Sequence, residues 1–161
     1  MPSEKETGED AQPGRLWTVP EANTRLETLR ELLPQLRAWV TRLRTIYEEL
    51  RRLADFWGKE FAASDIPDAE LKARLEEEWQ TLTKRLEREV DALQAEGIEV
   101  KDLESGLVDF YGLKDGTVVY LCWQRGEDSV RFYHSLSGGY RNRRPLTEAS
   151  PSPTAKAQGS T

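Results

Sequence analysis

Apolar residues recur every third or fourth position at Leu26, Leu29, Leu33, Leu36, Val40, Leu43, Tyr47, Leu50, Ala54 and Trp57. They do so again at Leu71, Leu75, Trp79, Leu82, Leu86, Val90 and Leu93. Only a helix brings such positions onto one face, so each run predicts a long amphipathic helix. Gly58 and the stretch Ala63-Ser64-Asp65-Ile66-Pro67-Asp68 separate them. A short connection between two long helices makes them antiparallel neighbours. A hairpin centred near Ser64 sets Leu50 beside Trp79, Leu43 beside Leu86 and Leu36 beside Leu93. Charge agrees: the first helix carries Arg37, Arg42, Arg44, Arg51 and Arg52, the second Glu76, Glu77, Glu78, Glu87 and Glu89. Such surface pairs, worth ~0–1 kcal/mol each, select the partner more than they stabilise it.

The ends and flaws of these helices are also legible. Thr18 with Glu21 forms an S/T-x-x-E capping box, and Pro20 sits in the first turn, where its missing N–H costs nothing. Pro34 predicts a kink or break at Leu33–Pro34. The second helix is expected from about Pro67 to Glu96, with Gly97 as its C′ residue. Residues 20–33 then overhang the second helix and cover whatever follows Gly97. A flanking stripe of Leu32, Trp39, Ile46 and Leu53 makes the first helix apolar over more than a two-stranded seam, which suggests a homodimer through the hairpin.

After Gly97 the pattern changes. Ile98–Leu103, Leu107–Gly112, Thr117–Gln124 and Val130–Ser135 are short runs rich in Val, Ile, Tyr, Phe and Trp, with turn signals at Asp115-Gly116 and Arg125-Gly126-Glu127-Asp128. They predict a four-stranded antiparallel meander. A two- or four-residue last loop places Val119, Leu121 and Trp123 on one face with Val130, Phe132 and His134. Val118, Tyr120 and Cys122, with Arg131 and Tyr133, then occupy the other. The fold class is therefore α+β: a long antiparallel helical hairpin with a kinked N-terminal helix, packed on a small antiparallel β-meander. The expected organisation is a disordered tail at 1–13, a helical section at 14–97, a β module at 98–148 and a second disordered tail at 149–161.

Composition excludes several functions. The chain has 161 residues, 37% hydrophobic and 32% charged, with a formal net charge of −6. No run approaches the roughly 20 apolar residues of a membrane span. The acidic, polar start reverses the order of a secretory signal, so a cytoplasmic location is expected. The single cysteine, Cys122, precludes an internal disulfide or a CxxC motif, and the single histidine, His134, precludes a multi-histidine metal site. Residues 98–146 carry seven basic and seven acidic side chains. A neutral module in an acidic chain argues against a nucleic-acid partner.

The stretches LWTVPEAN (16–23), KDLESGLVDF (101–110), VYLCWQRGE (119–127) and YHSLSGGYRNRRPL (133–146) resemble an uncharacterised prokaryotic family, domain of unknown function 2203. The resemblance covers roughly residues 16–146 and implies no established activity. Polar positions that match its pattern are Asp109, Cys122, Trp123, Glu127, His134 and Arg144; Tyr133 stands where the family often has tryptophan.

These residues admit several chemistries. Asp109 lies between Val108 and Phe110 in an apolar strand, where an unpaired carboxylate is expensive. Arg141, Arg143 and Arg144 are its natural partners in a buried ion pair. The alternative is a pocket lined by Asp109, Glu127, His134 and Arg144 that takes a small ligand or a metal. A Cys122–His134 thiolate dyad, and a metal held by Asp109, Cys122, Glu127 and His134, both require residues that the expected parity puts on opposite faces. Neither catalytic residues nor a metal or other cofactor are therefore assigned. The expected role is a non-enzymatic interaction or scaffold module that self-associates through its hairpin; the alternative is a small-ligand or metal-binding protein with its site on the sheet.

Overall fold

A computed structural model describes residues 14–147. The expected tails lie outside the described residues. Helix α1 spans Val19–Trp57, and Thr18 caps it by accepting from the Glu21 N–H at 3.3 Å. Of the kink or break expected at Leu33–Pro34, the break does not occur: α1 is one element of 39 residues with Pro34 in its interior. An interior proline removes a backbone bond and costs ~3 kcal/mol. Leu29, Leu33 and Leu36, buried on either side, supply the packing that offsets it.

After a 3-10 helix at Gly58–Ala62, helix α2 runs over Ala69–Ala95 and Gly97 follows with φ 77°. The helices are antiparallel, as expected. Arg42 donates to both oxygens of Glu78 at 2.7 and 2.8 Å, and the rings of Tyr47 and Trp79 lie 6.5 Å apart. At the turn Trp57 Nε1 donates to Asp68 and the Lys72 ammonium to the Phe61 carbonyl.

The sheet has five strands in sequential order, one more than expected: β1 Ile98–Asp102, β2 Leu107–Lys114, β3 Thr117–Gln124, β4 Phe132–His134 and β5 Arg144–Pro145. All neighbours are antiparallel. Asp115 (φ 52°) and Gly116 (φ 79°) form the tight turn between β2 and β3.

One face of this sheet carries Ile98, Val108, Phe110, Val119, Leu121 and Trp123, which share a core with Leu26, Leu29, Leu33 and Leu36 of α1 and Leu93 of α2. The start of α1 thus covers the sheet, although Arg42–Glu78 and Arg25–Glu96 set the two helices out of the expected register of Leu43 beside Leu86 and Leu36 beside Leu93. Trp17 ties the entry of α1 to both layers. Its N–H donates to the Tyr111 carbonyl and its indole Nε1 to the Glu96 carbonyl, both at 2.7 Å.

The stripe that suggested self-association is largely covered within the chain. Ile46 is fully buried, and Leu32 and Trp39 pack against the core. Among the described residues no helix is long and apolar enough to cross a membrane.

The last hairpin departs from expectation. Tyr120 pairs with His134, Leu121 with Tyr133 and Cys122 with Phe132. Directly paired residues share a face, so Cys122 and His134 lie on the same side and Tyr133 on the other. The connection is a seven-residue excursion held by α1. Asn23 Oδ1 accepts from the Val130 N–H at 2.7 Å, and Arg30 donates to the Asp128 carbonyl at 2.6 Å. That pull draws Val130 into the core and shifts β4 by one residue, which exchanges its faces.

Candidate functional site

The sheet face turned away from the helices gathers polar groups that the expected parity separated. Asp109 of β2 is opposite Cys122 of β3, and His134 of β4 is opposite Tyr120, one pair along on the same face. Their exposures are 1%, 0% and 4%. One donor atom from each of the three lies within 4.8 Å of the other two.

The hydrogen bonds fix one of the histidine's two ring hydrogens. Its Nδ1 lies 2.8 Å from the Ser135 carbonyl, which only accepts, so Nδ1 carries a hydrogen. Nε2 lies 3.0 Å from Asp109 Oδ2. One proton therefore sits between the two side chains, on imidazolium or on carboxylic acid. The other carboxyl oxygen, Asp109 Oδ1, is buried with no N–H or O–H donor, and the weakly donating Cys122 thiol is the group that faces the carboxyl. Burial raises the Asp109 carboxyl above its ordinary value, and the adjacent His134 offsets this only partly. The ion pair expected between Asp109 and an arginine is absent; its partner is His134.

Burial, reinforced by the charge of Asp109, pushes the Cys122 thiol up to about 12. A sealed, protonated thiol is no nucleophile, which disfavours thiolate catalysis on grounds other than parity.

Arg143 closes one side of the cluster. Its Nη1 donates to Glu127 Oε1 at 2.8 Å and lies 3.9 Å from Cys122 Sγ, while its guanidinium covers the Phe132 ring at 4.1 Å. Glu127 Oε1 also accepts from the Gln124 N–H. Glu127 is thus bound to Arg143 instead of joining the trio.

Beside the cluster, Tyr120 donates to the Tyr111 hydroxyl and Tyr111 to Glu99, which also pairs with Lys101. The Tyr120 and His134 rings are 5.3 Å apart.

Of the sequence-predicted residues, Asp109, Cys122 and His134 converge, and Glu127 adjoins them through Arg143. Trp123 lies in the helix-facing core. Arg144 has no contact with Asp109 or Cys122: it pairs with Tyr133 and borders a cleft of about 430 Å³ that His134 also lines, with Ser135 and Asn142. The sequence carries adjacent arginines at 143 and 144, and only the path of the final short strand decides which one turns inward.

A family model described as "Uncharacterized conserved protein (DUF2203)" matches residues 15–146. The chain belongs to this family, as the resemblance implied. No curated protein and no solved structure matches it.

Proposed function

We propose that this is a metal-binding protein whose centre is Asp109, Cys122 and His134, and that the ion is zinc or a metal of similar preference. The observation that carries the reading is the convergence of a buried carboxyl, thiol and imidazole whose donor atoms lie within 4.8 Å of one another, with no N–H or O–H donor on Asp109 Oδ1.

A buried carboxyl oxygen faced only by a weak thiol donor is costly, and a cation would satisfy it more fully. Carboxylate, thiolate and imidazole together match zinc, which binds all three. In a tetrahedral zinc site the donors stand about 3.3–3.6 Å apart, so closure asks for a contraction of up to about 1.2–1.5 Å. Charge also favours a divalent ion: one carboxylate and one thiolate balance it, and Arg143 is already balanced by Glu127. The earlier objection that a metal needs ligands from both faces falls with the corrected parity, and the set narrows to three because Glu127 is engaged elsewhere. Enclosed between three strands, the ion would tie β2, β3 and β4 together. The hairpin scaffold reading has less support, since its apolar stripe is mostly covered.

Titration calorimetry with zinc should give one ion per chain, with proton release. Cobalt should give a thiolate charge-transfer band that Cys122→Ser abolishes. Absence of zinc binding at micromolar concentration by the folded chain, or a cobalt spectrum unchanged in Cys122→Ser, would overturn the assignment.

A further inference from the structure

A second recess opens on the other side of the sheet. It has a volume of about 510 Å³ and lies between α1, the β1–β2 turn and the loop after β3. Leu33, Pro34, Leu103 and Trp123 give it apolar surface, while Arg30, Arg37 and Arg125 supply its cationic groups.

Those arginines are not neutralised. Among the described residues none of the three makes an ion pair. Arg30 donates to the Asp128 and Glu127 carbonyls and Arg125 to the Glu104 carbonyl, whereas the Arg37 guanidinium donates to no other described residue. The two acidic residues at the cleft face other partners: the Glu127 carboxylate holds Arg143, and the exposed Asp128 carboxylate lies 3.6 Å from Arg131. An excess of positive charge therefore stands over an apolar surface, in a chain whose net charge is −6.

From this we infer that the cleft binds a small organic anion, an apolar body carrying one carboxylate or phosphate group. The volume is that of a small-molecule site, about 300–1,000 Å³. Guanidinium groups match the two oxygens of such anions and strengthen where water is excluded. Arg30 and Arg125 are braced by carbonyls with donors to spare, and Arg37 is free to close on the ligand. Trp123, on the cleft's inner side, makes binding visible in fluorescence. This inference is independent of the metal centre, which lies on the opposite face.

The test uses the full chain and defined probes: 2-naphthoate and adenosine monophosphate, with 2-naphthamide and adenosine as uncharged counterparts. At least one anion should saturate by calorimetry, bind at least tenfold more tightly than its neutral counterpart and weaken with added salt. Preference between the two anions separates a carboxylate ligand from a phosphate one. Arg37→Ala, which removes no hydrogen bond of the fold, should weaken binding at least tenfold, with partial recovery in Arg37→Lys. Cys122→Ser should leave binding intact, which separates this inference from the metal reading. Equal affinity for charged and neutral probes, unchanged binding in the folded Arg37→Ala, Arg125→Ala double variant, or no binding of either anion at millimolar concentration would each overturn it.

Discussion

Replacing Asp109 by asparagine separates what the buried cluster does for the fold from what it does for an ion. The two side chains have the same shape. With hydrogen on His134 Nδ1, the neutral imidazole presents a lone pair at Nε2, and an amide N–H in place of Oδ2 can donate to it at the observed 3.0 Å. Burial already works against the Asp109 charge. In chelator-treated protein the substitution should therefore change stability by less than ~1 kcal/mol, since hydrogen bonding is conserved and a disfavoured charge is removed. For a chain of this length that is a midpoint shift of roughly 3–4 °C or less. Zinc changes the comparison. At free zinc 1,000-fold above the dissociation constant the wild type gains about 4.1 kcal/mol. The variant, with a neutral amide for a carboxylate, should gain almost nothing. Paired thermal melts in chelator and in zinc should show a small gap opening to roughly 12–16 °C. A variant destabilised by ~3–5 kcal/mol in chelator, with no further separation in zinc, would mean that the aspartate is a member of a buried charge pair and not an ion ligand.

Cys122 in native, metal-free protein should resist iodoacetamide at pH 8 and be alkylated only after denaturation, because the thiol is fully buried and stays protonated to about pH 12; mass spectrometry reads the result. A side chain at Gly112 would place its Cβ 2.8 Å from Leu121 Cγ and 2.9 Å from the Trp17 carbonyl. Gly112→Ala should therefore cost ~1–3 kcal/mol in denaturant melts, the range for overpacked cores. At Glu99 burial raises the carboxyl, but hydrogen bonds from Lys101 and Tyr111 outweigh it and leave its pKa below the ordinary value. Its stabilisation is then present above the unfolded-state pKa and fades as pH falls through the folded one. Glu99→Gln should destabilise at pH 7 and have less effect near pH 3; a larger difference in acid would contradict the network.

The elements whose signals are local were legible in the sequence. Spacing revealed both helices, Thr18 and Glu21 the start of α1, and Asp115-Gly116 the β2–β3 turn. The hairpin geometry also foretold that residues 20–33 would cover the sheet. Two features were not legible because distant residues decide them. Pro34 remains within α1 because buried leucines flank it. The parity of β4 depends on Asn23 and Arg30, roughly a hundred positions away, reaching the loop before it. A single-residue slip in that strand separated Cys122 from His134 on paper and concealed the candidate centre. Arg143 stood among three candidate arginines, and no periodicity marked it as the one at the cluster or Glu127 as its partner.

The leucines of α1 meet their partners at the far end of the chain, and this bears on how the protein is made. Arg30 and the Glu127 carbonyl that it contacts are 97 positions apart. At ~5–20 residues per second, a ribosome that has released the first helix takes on the order of 5–20 seconds to supply the strands that cover Leu26, Leu29 and Leu33. During that interval the second helix can shield only the stretch alongside it, and the overhanging end remains greasy and open. Nascent chains halted near residue 100 should therefore be held by ribosome-associated chaperones or clump, while chains extended past β4 should be released and remain dispersed.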